Sequence, residues 1–245
     1  MRTEAEWLAG TDPQALLDYL HGRLSDRKLR LFAAACCRSL GDLMPAGRSR
    51  RAVQLCERHA DGQARDEELR AVYGPAAWLE DTLVPPWAVQ VAAEAGAANA
   101  AYPEAFAAAE RASLWALDAL AGTAADAVAD PPCTPENGRE GDRWFLAFQA
   151  ARVAEKEAQC RLLRCVAGNP FRPVRVRRAW LQWHDGAVRK VAEALYDGAR
   201  FADLGVLADV LEEAGCTEPA LLHHCREAGL HARGCWAVDL VLGRV

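Results

Sequence analysis

The stretch that decides the fold is Ser25–Leu40, SDRKLRLFAAACCRSL. Within it, Leu29, Phe32 and Cys36 recur at the three- and four-residue spacing that marks one face of an α-helix. Ser25 can cap the first turn, because its hydroxyl oxygen can accept a hydrogen bond from a free backbone N–H. The pattern predicts a helix that buries Leu29, Phe32 and Cys36 in a core.

The same periodicity extends along most of the chain and predicts further helices. They are expected at 13–21, 48–60, 66–72, 87–129 with a break at Tyr102-Pro103, 143–166, 185–196, 201–214, 218–228 and 235–242. The short alternation RPVRVRR is the one stretch that resembles a strand. We therefore predict an all-α fold, either a multi-helix bundle or an irregular helical array.

Proline and glycine predict where the helical regions are separated. DPPCTPENGREGD, residues 130–142, is typical of a linker or long loop, which we place at 131–142. It would separate an N-terminal helical region, 1–130, from a C-terminal helical region, 143–245. A single continuous domain is the alternative. A second segment, 168–184, is predicted to be turn-rich and extended.

Charge and hydropathy limit the possible partners. The net charge is −5, so no overall positive field attracts nucleic acid or an anionic membrane. The N-terminal MRTEAEWLAGTDP has no apolar stretch typical of a signal peptide, and acidic residues interrupt the most apolar region. We expect a cytoplasmic protein with protein partners, without nucleic-acid or membrane binding.

Cysteine usage argues against a disulfide framework. The nine cysteines are an odd number in a chain expected to occupy a reducing compartment, and Cys36 and Cys37 are adjacent. Most of the thiols should therefore be free and pack as small apolar side chains.

A basic segment with interleaved aromatic residues lies in the turn-rich region. It contains Arg172, Arg175, Arg177, Arg178, Trp180 and Trp183. Arginines can bind phosphate and indole rings can stack on bases, so this segment is a candidate binding surface. The alternative is that the arginines pair with acids such as Asp203, Glu212 and Glu213 while the tryptophans anchor the segment. The acidic character of the whole chain favours this alternative.

Cysteine and histidine are concentrated in EAGCTEPALLHHCREAGLHARGCW, residues 213–236. Cys216, His224, His231 and Cys235 have the chemistry of zinc ligands, with Cys225 as an alternative to His224. However, the stretch lacks the short Cys-x2-Cys pair typical of structural zinc sites. We therefore expect these residues to pack or cap without a cofactor, and we keep zinc as the alternative.

A cysteine nucleophile is a further hypothesis for the same stretch. Cys235 and His231 are four residues apart, and an imidazolium can favour the reactive thiolate. No recognisable third catalytic group accompanies them. The chain also lacks a phosphate-binding Gly-x4-Gly-Lys loop and a Gly-x-Ser-x-Gly elbow. The sequence therefore favours a protein without catalytic residues.

The C-terminal end is predicted to be a structural element. Its apolar residues are Trp236, Val238, Leu240, Val241 and Leu242. Their burial should outweigh the entropic cost of ordering a short tail, so the C-terminus should dock against its domain. We expect Asp239 to face outward or to pair with an arginine.

Several motifs resemble bacterial proteins. TEAEWLAGTDPQALLDYL, SDRKLRLFAAACCRSL, GNPFRPV and HCREAGLHARGCWAVDLVLG resemble an all-helical family, abundant in planctomycete-type bacteria, that has no assigned activity. This resemblance spans most of the chain and is weakest over 75–143. LADVLEEAGCTEP is locally similar to short bacterial repeat-companion helical domains. Neither resemblance implies a catalytic residue, and the second implies an adaptor module. The sequence thus predicts a helical interaction or adaptor protein, or alternatively a zinc protein or enzyme with its site in the C-terminal third.

Overall fold

The computed structural model describes residues 1, 3–44, 47–76, 88–128, 142–229 and 231–244. Its α-helices, in chain order, are α1 (Glu4–Ala9), α2 (Pro13–Leu20), α3 (Asp26–Arg38), α4 (Arg48–Ala60), α5 (Asp66–Ala76), α6 (Ala88–Ala100), α7 (Ala105–Asp126), α8 (Asp142–Ala167), α9 (Arg178–Gln182), α10 (Ala187–Asp197), α11 (Gly205–Glu213), α12 (Pro219–Arg226) and α13 (Trp236–Leu242). These ranges contain no strand, which confirms the predicted all-α fold. No helix among them is long and apolar enough to cross a membrane.

The described residues divide into two compact units. The central unit is Gly10–Cys160, and the terminal unit combines Met1–Ala9 with Arg161–Val245. The boundary expected at 131–142 lies outside the described residues except for residue 142, so it stays a prediction.

The central unit is built around α3, which packs against α4, α6 and α7. Leu29, Phe32 and Cys36 are at most 3% exposed, which confirms the predicted core face. The Ser25 side chain accepts a hydrogen bond from the Lys28 N–H, as expected of a helix cap. The helix therefore begins and buries its apolar face as its sequence predicts.

The alanine-rich part of the central unit forms two helices that pack closely together. A Cβ atom on Gly96 of α6 would be 3.4 Å from the Cβ of Trp115 on α7, so small residues permit the close approach. The predicted break at Tyr102-Pro103 separates these helices. Glu104 caps α7 by accepting a hydrogen bond of 2.8 Å from the Phe106 N–H.

The terminal unit includes α1, which the sequence analysis did not predict. Trp7 of α1 is fully buried, and its carbonyl oxygen accepts hydrogen bonds from Arg164 Nε (3.0 Å) and Nη2 (2.7 Å). Asn169 also donates to the Glu4 carboxylate at 2.8 Å. These contacts connect residues more than 150 positions apart, and they explain why the N-terminus belongs to this unit.

The segment 168–184 is turn-rich, as predicted, and it contains the short helix α9, whose buried Trp180 anchors it. RPVRVRR, the stretch that resembles a strand in the sequence, forms no strand.

The C-terminal helix α13 packs against α10 and α12, so the C-terminus docks against its unit as predicted. Val238, Val241 and Leu242 are buried in the core of the terminal unit. Asp239 does not face outward, since it is only 1% exposed. The last helix is therefore a part of the packed unit.

Candidate metal centre

Two cysteines and two histidines of the terminal unit converge on one point. One ligand atom from each of Cys165, His224, His231 and Cys235 lies within 4.8 Å of every other. Cys165 Sγ is 3.5 Å from His231 Nδ1, and His224 Nε2 is 3.2 Å from Cys235 Sγ. Two sulfurs and two imidazole nitrogens are a common ligand set for zinc.

Each of the four side chains comes from a different segment. Cys165 lies in the last turn of α8, His224 in the last turn of α12, His231 in the loop after α12, and Cys235 immediately before α13. Because these segments meet only through the tertiary fold, the cluster depends on the packing of the whole terminal unit. An ion bound here would join the ends of three helices.

Helix α12 selects which neighbouring side chains face the cluster. Leu221 and Cys225 are buried, and they fix the inward face of the helix. His223 is exposed, whereas His224 is half-buried and lies 5.1 Å from Trp236 between ring centroids. Adjacent residues point about 100° apart around a helix, so His224 reaches the cluster while Cys225 packs in the core.

His231 is held in an orientation suited to a metal ligand. Its Nε2 is 3.0 Å from the backbone carbonyl oxygen of Glu227, which can only accept a hydrogen bond. Nε2 therefore donates a proton, and in the neutral ring the lone pair is on Nδ1, the atom that faces Cys165. A hydrogen bond from the distal nitrogen to a carbonyl is the usual support of a metal-bound histidine.

The cluster also favours the charged form of its innermost thiol. Burial raises the pKa of Cys235, but hydrogen bonds with Cys165, His224 and His231 outweigh it and hold the pKa well below the ordinary value. The hydrogen bond with Cys235 in turn raises the pKa of His231, against the effect of burial. The protein therefore stabilises a thiolate at the centre of the cluster.

A pocket connects the cluster with solvent. It has a volume of about 100 Å³ and is lined by Arg161, Arg164, Cys165, His224, Glu227, Gly229 and His231. Cys235 is not among the lining residues and has no exposed surface. Small solutes can thus approach the cluster from the side of Cys165 and the two histidines.

Three of the four ligands proposed from the sequence come together, and the fourth does not. His224, His231 and Cys235 belong to the cluster, whereas Cys216 packs in the core of the terminal unit. Cys165 occupies the fourth position instead. Cys165 is not recognisable as a ligand from the sequence, because it lies 70 residues before Cys235 and fits the apolar stripe of α8.

The burial of Cys235 argues against its role as a nucleophile. Its side chain is 0% exposed, and its Sγ is surrounded by Cys165, His224 and His231. A substrate carbonyl must come within van der Waals distance of an attacking sulfur. Cys235 presents no exposed surface to such a substrate.

The arginines of the turn-rich segment are all exposed, but their partners differ from those expected. Arg172 pairs with Glu4 at 2.8 Å. Asp203 pairs with Arg200, and Glu212 pairs with Arg226. Arg177 lies over the ring of the buried Trp180, with its Cζ 5.5 Å from the ring centroid. Trp183 is half-buried and contacts His184.

Comparisons with known proteins do not assign this chain to a family: no protein-family model, curated protein or solved structure matches it. The resemblances described from the sequence motifs therefore stay predictions.

Proposed function

We propose that this protein binds one Zn²⁺ ion through Cys165, His224, His231 and Cys235. The observation that carries the proposal is the convergence of these four ligand atoms within 4.8 Å of one another. They come from four separate segments of the chain. Their meeting has no explanation in helix packing alone, which requires neither histidine.

The distances within the cluster fit a tetrahedral ion. Zn–S bonds of about 2.3 Å and Zn–N bonds of about 2.0 Å place a sulfur and a nitrogen ligand about 3.5 Å apart. The observed Cys165–His231 and His224–Cys235 separations are 3.5 Å and 3.2 Å. The longest separation, 4.8 Å, requires the ligands to draw together by only about 1 Å. Tetrahedral S₂N₂ coordination favours zinc over calcium or magnesium, which prefer oxygen ligands.

The proposed ion has a structural role. Four protein ligands fill a tetrahedral zinc, whereas catalytic zinc keeps one position for water or substrate. Binding would join α8, α12 and α13, so the binding free energy would contribute directly to the folding of the terminal unit. The protein would then be a zinc-stabilised helical scaffold.

A zinc site in the C-terminal third is the alternative that the sequence leaves open. It is compatible with the leading expectation of a non-catalytic interaction or adaptor protein, because a structural ion stabilises a surface without performing chemistry. Protein partners and a cytoplasmic location remain part of that expectation. The zinc site is the part that the geometry supports directly.

Metal analysis of the full-length protein, purified without a metal-binding tag, tests the proposal. We expect one zinc per chain, lost in Cys165→Ala and in His231→Ala. Cys216→Ala and Cys225→Ala are matched controls, because both residues are buried in the same core but lie outside the cluster. Substoichiometric zinc in the wild type, or full zinc in Cys165→Ala, would refute the site.

A further inference from the structure

The two thiols of the cluster differ in access to solvent. Cys165 lines the 100 Å³ pocket, whereas Cys235 is fully buried behind it. A cavity of about 10–15 Å³ is large enough to hold one water molecule. Hydrogen peroxide is scarcely larger than water, so it can reach Cys165 through this pocket.

The two sulfur atoms are also close enough to react with each other. Cys165 Sγ and Cys235 Sγ lie within 4.8 Å, and a disulfide requires an S–S bond of about 2.05 Å. Once Cys165 is oxidised it no longer coordinates the ion, and rotation of the two side chains can then bring the sulfurs together. Both residues lie at helix ends, where the backbone is less constrained than in the middle of a helix.

We infer that Cys165 is a peroxide-sensitive thiol whose oxidation to a disulfide with Cys235 releases the zinc ion. The inference rests on the proposed zinc site. It assigns to that site an oxidant class, a small peroxide, and an order of events in which the sulfur that lines the pocket reacts first.

The chemistry balances in two steps. The Cys165 thiolate attacks one peroxide oxygen, the O–O bond breaks, and one proton completes a molecule of water, which leaves a sulfenic acid (S–OH) on Cys165. The Cys235 thiolate then attacks this sulfur, the S–O bond breaks, and the departing hydroxide takes a second proton to form water. Peroxide gains two electrons, and the two sulfurs together lose two.

Release of the ion follows from the loss of two ligands. A disulfide sulfur carries no negative charge and is a poor zinc ligand compared with a thiolate. His224 and His231 alone supply two of the four ligands that structural zinc requires. Reduction of the disulfide restores both thiolates, so the change is reversible.

The test uses full-length protein loaded with zinc and treated with hydrogen peroxide. We expect zinc, followed with a chromogenic chelator, to appear in step with the loss of two thiols per ion. Peptide mapping under non-reducing conditions should identify a Cys165–Cys235 disulfide, and a dithiol reductant should restore zinc binding.

Two variants separate this mechanism from other oxidation. Cys165→Asp keeps a zinc ligand but cannot form the disulfide, so peroxide should no longer release its zinc. Cys225→Ala, which removes a buried thiol near Cys235, should release zinc as the wild type does. A Cys225–Cys235 disulfide, or zinc retained by the wild type after peroxide treatment, would overturn the inference. Protein that never binds zinc would instead refute the proposed function.

Discussion

Gly168 lies so close to Trp236 that a Cβ atom on residue 168 would be 3.1 Å from Trp236 Cγ. The φ angle of Gly168 is +71°, in the left-handed region that residues with a Cβ rarely adopt. Trp236 in turn contacts His224, with ring centroids 5.1 Å apart. The glycine therefore permits the approach that brings the end of α8, with Cys165, to the start of α13, with Cys235.

Gly168→Ala should accordingly destabilise the terminal unit. Backbone strain of this kind costs about 1–3 kcal/mol, and the displaced indole should also weaken zinc binding. Gly205→Ala is the control, because a Cβ atom on Gly205 would meet no other atom within 4 Å and the residue has no positive φ. Thermal unfolding and zinc titration of both variants give the comparison. Equal melting temperatures for Gly168→Ala and the wild type would contradict this role.

Phe32→Ala should destabilise the central unit much more than a surface change does. Phe32 is fully buried, and such truncations cost about 3–5 kcal/mol in the free energy of unfolding. Leu114→Ala is the matched control, because Leu114 is 50% exposed and changes of that kind usually stay within about 0.5 kcal/mol. The measurement is denaturant unfolding followed by circular dichroism. If both variants unfold at the same denaturant concentration, Phe32 is not a core residue.

Local sequence patterns predict the fold better than they predict the site. The range predicted for α4, Arg48–Ala60, is the observed one, because periodicity and helix ends are local signals. By contrast, α1 is only six residues long and depends on the contact of Trp7 with Arg164. No window of sequence contains such a contact.

Local sequence patterns also predict only part of the metal centre. His224, His231 and Cys235 lie within 12 residues, so their ligand chemistry is visible in one stretch. Cys165 comes from a helix far away in sequence, where its apolar neighbours make it resemble a core residue. Cys216 is near these three residues in the sequence but packs in the core of the unit, outside the cluster. Ligand type can be predicted locally, whereas ligand selection requires the tertiary fold.

Cys56 should not react with alkylating reagents in the folded protein. Burial raises the pKa of its thiol to about 12, although Arg30 opposes the shift. At pH 8 roughly one molecule in ten thousand would then carry the reactive thiolate, which is the form that alkylates. Treatment with iodoacetamide and mass spectrometry should find Cys56 unmodified in native protein and modified after unfolding in urea. Complete labelling of Cys56 in the native protein would show that this thiol is accessible.

The arginine segment should not bind nucleic acid at physiological ionic strength. Arg172 is paired with Glu4, and the tryptophan beside Arg177 is buried and cannot stack on a base. Phosphate contacts release counterions, so true binding would fall steeply with salt concentration. Retention on immobilised DNA and RNA over a salt gradient is the measurement, with the variant in which residues 172, 175, 177 and 178 are all alanine as the control. Salt-sensitive retention that this variant loses would contradict the prediction.

Deletion of Trp236–Val245 should open the terminal unit even though all four proposed zinc ligands remain. Val238 and Val241 of α13 are buried in the core of this unit, and α13 packs against α10. Burying a side chain of this class contributes about 1.5–3 kcal/mol, so removing the helix exposes the apolar face of α10 to water. Hydrogen exchange of α10 should therefore become much faster, both with and without zinc, whereas deletion of Val245 alone should change little. If α10 is as well protected from hydrogen exchange in the shortened chain as in the full-length protein, the prediction is wrong. In that case α13 does not contribute to the stability of the unit.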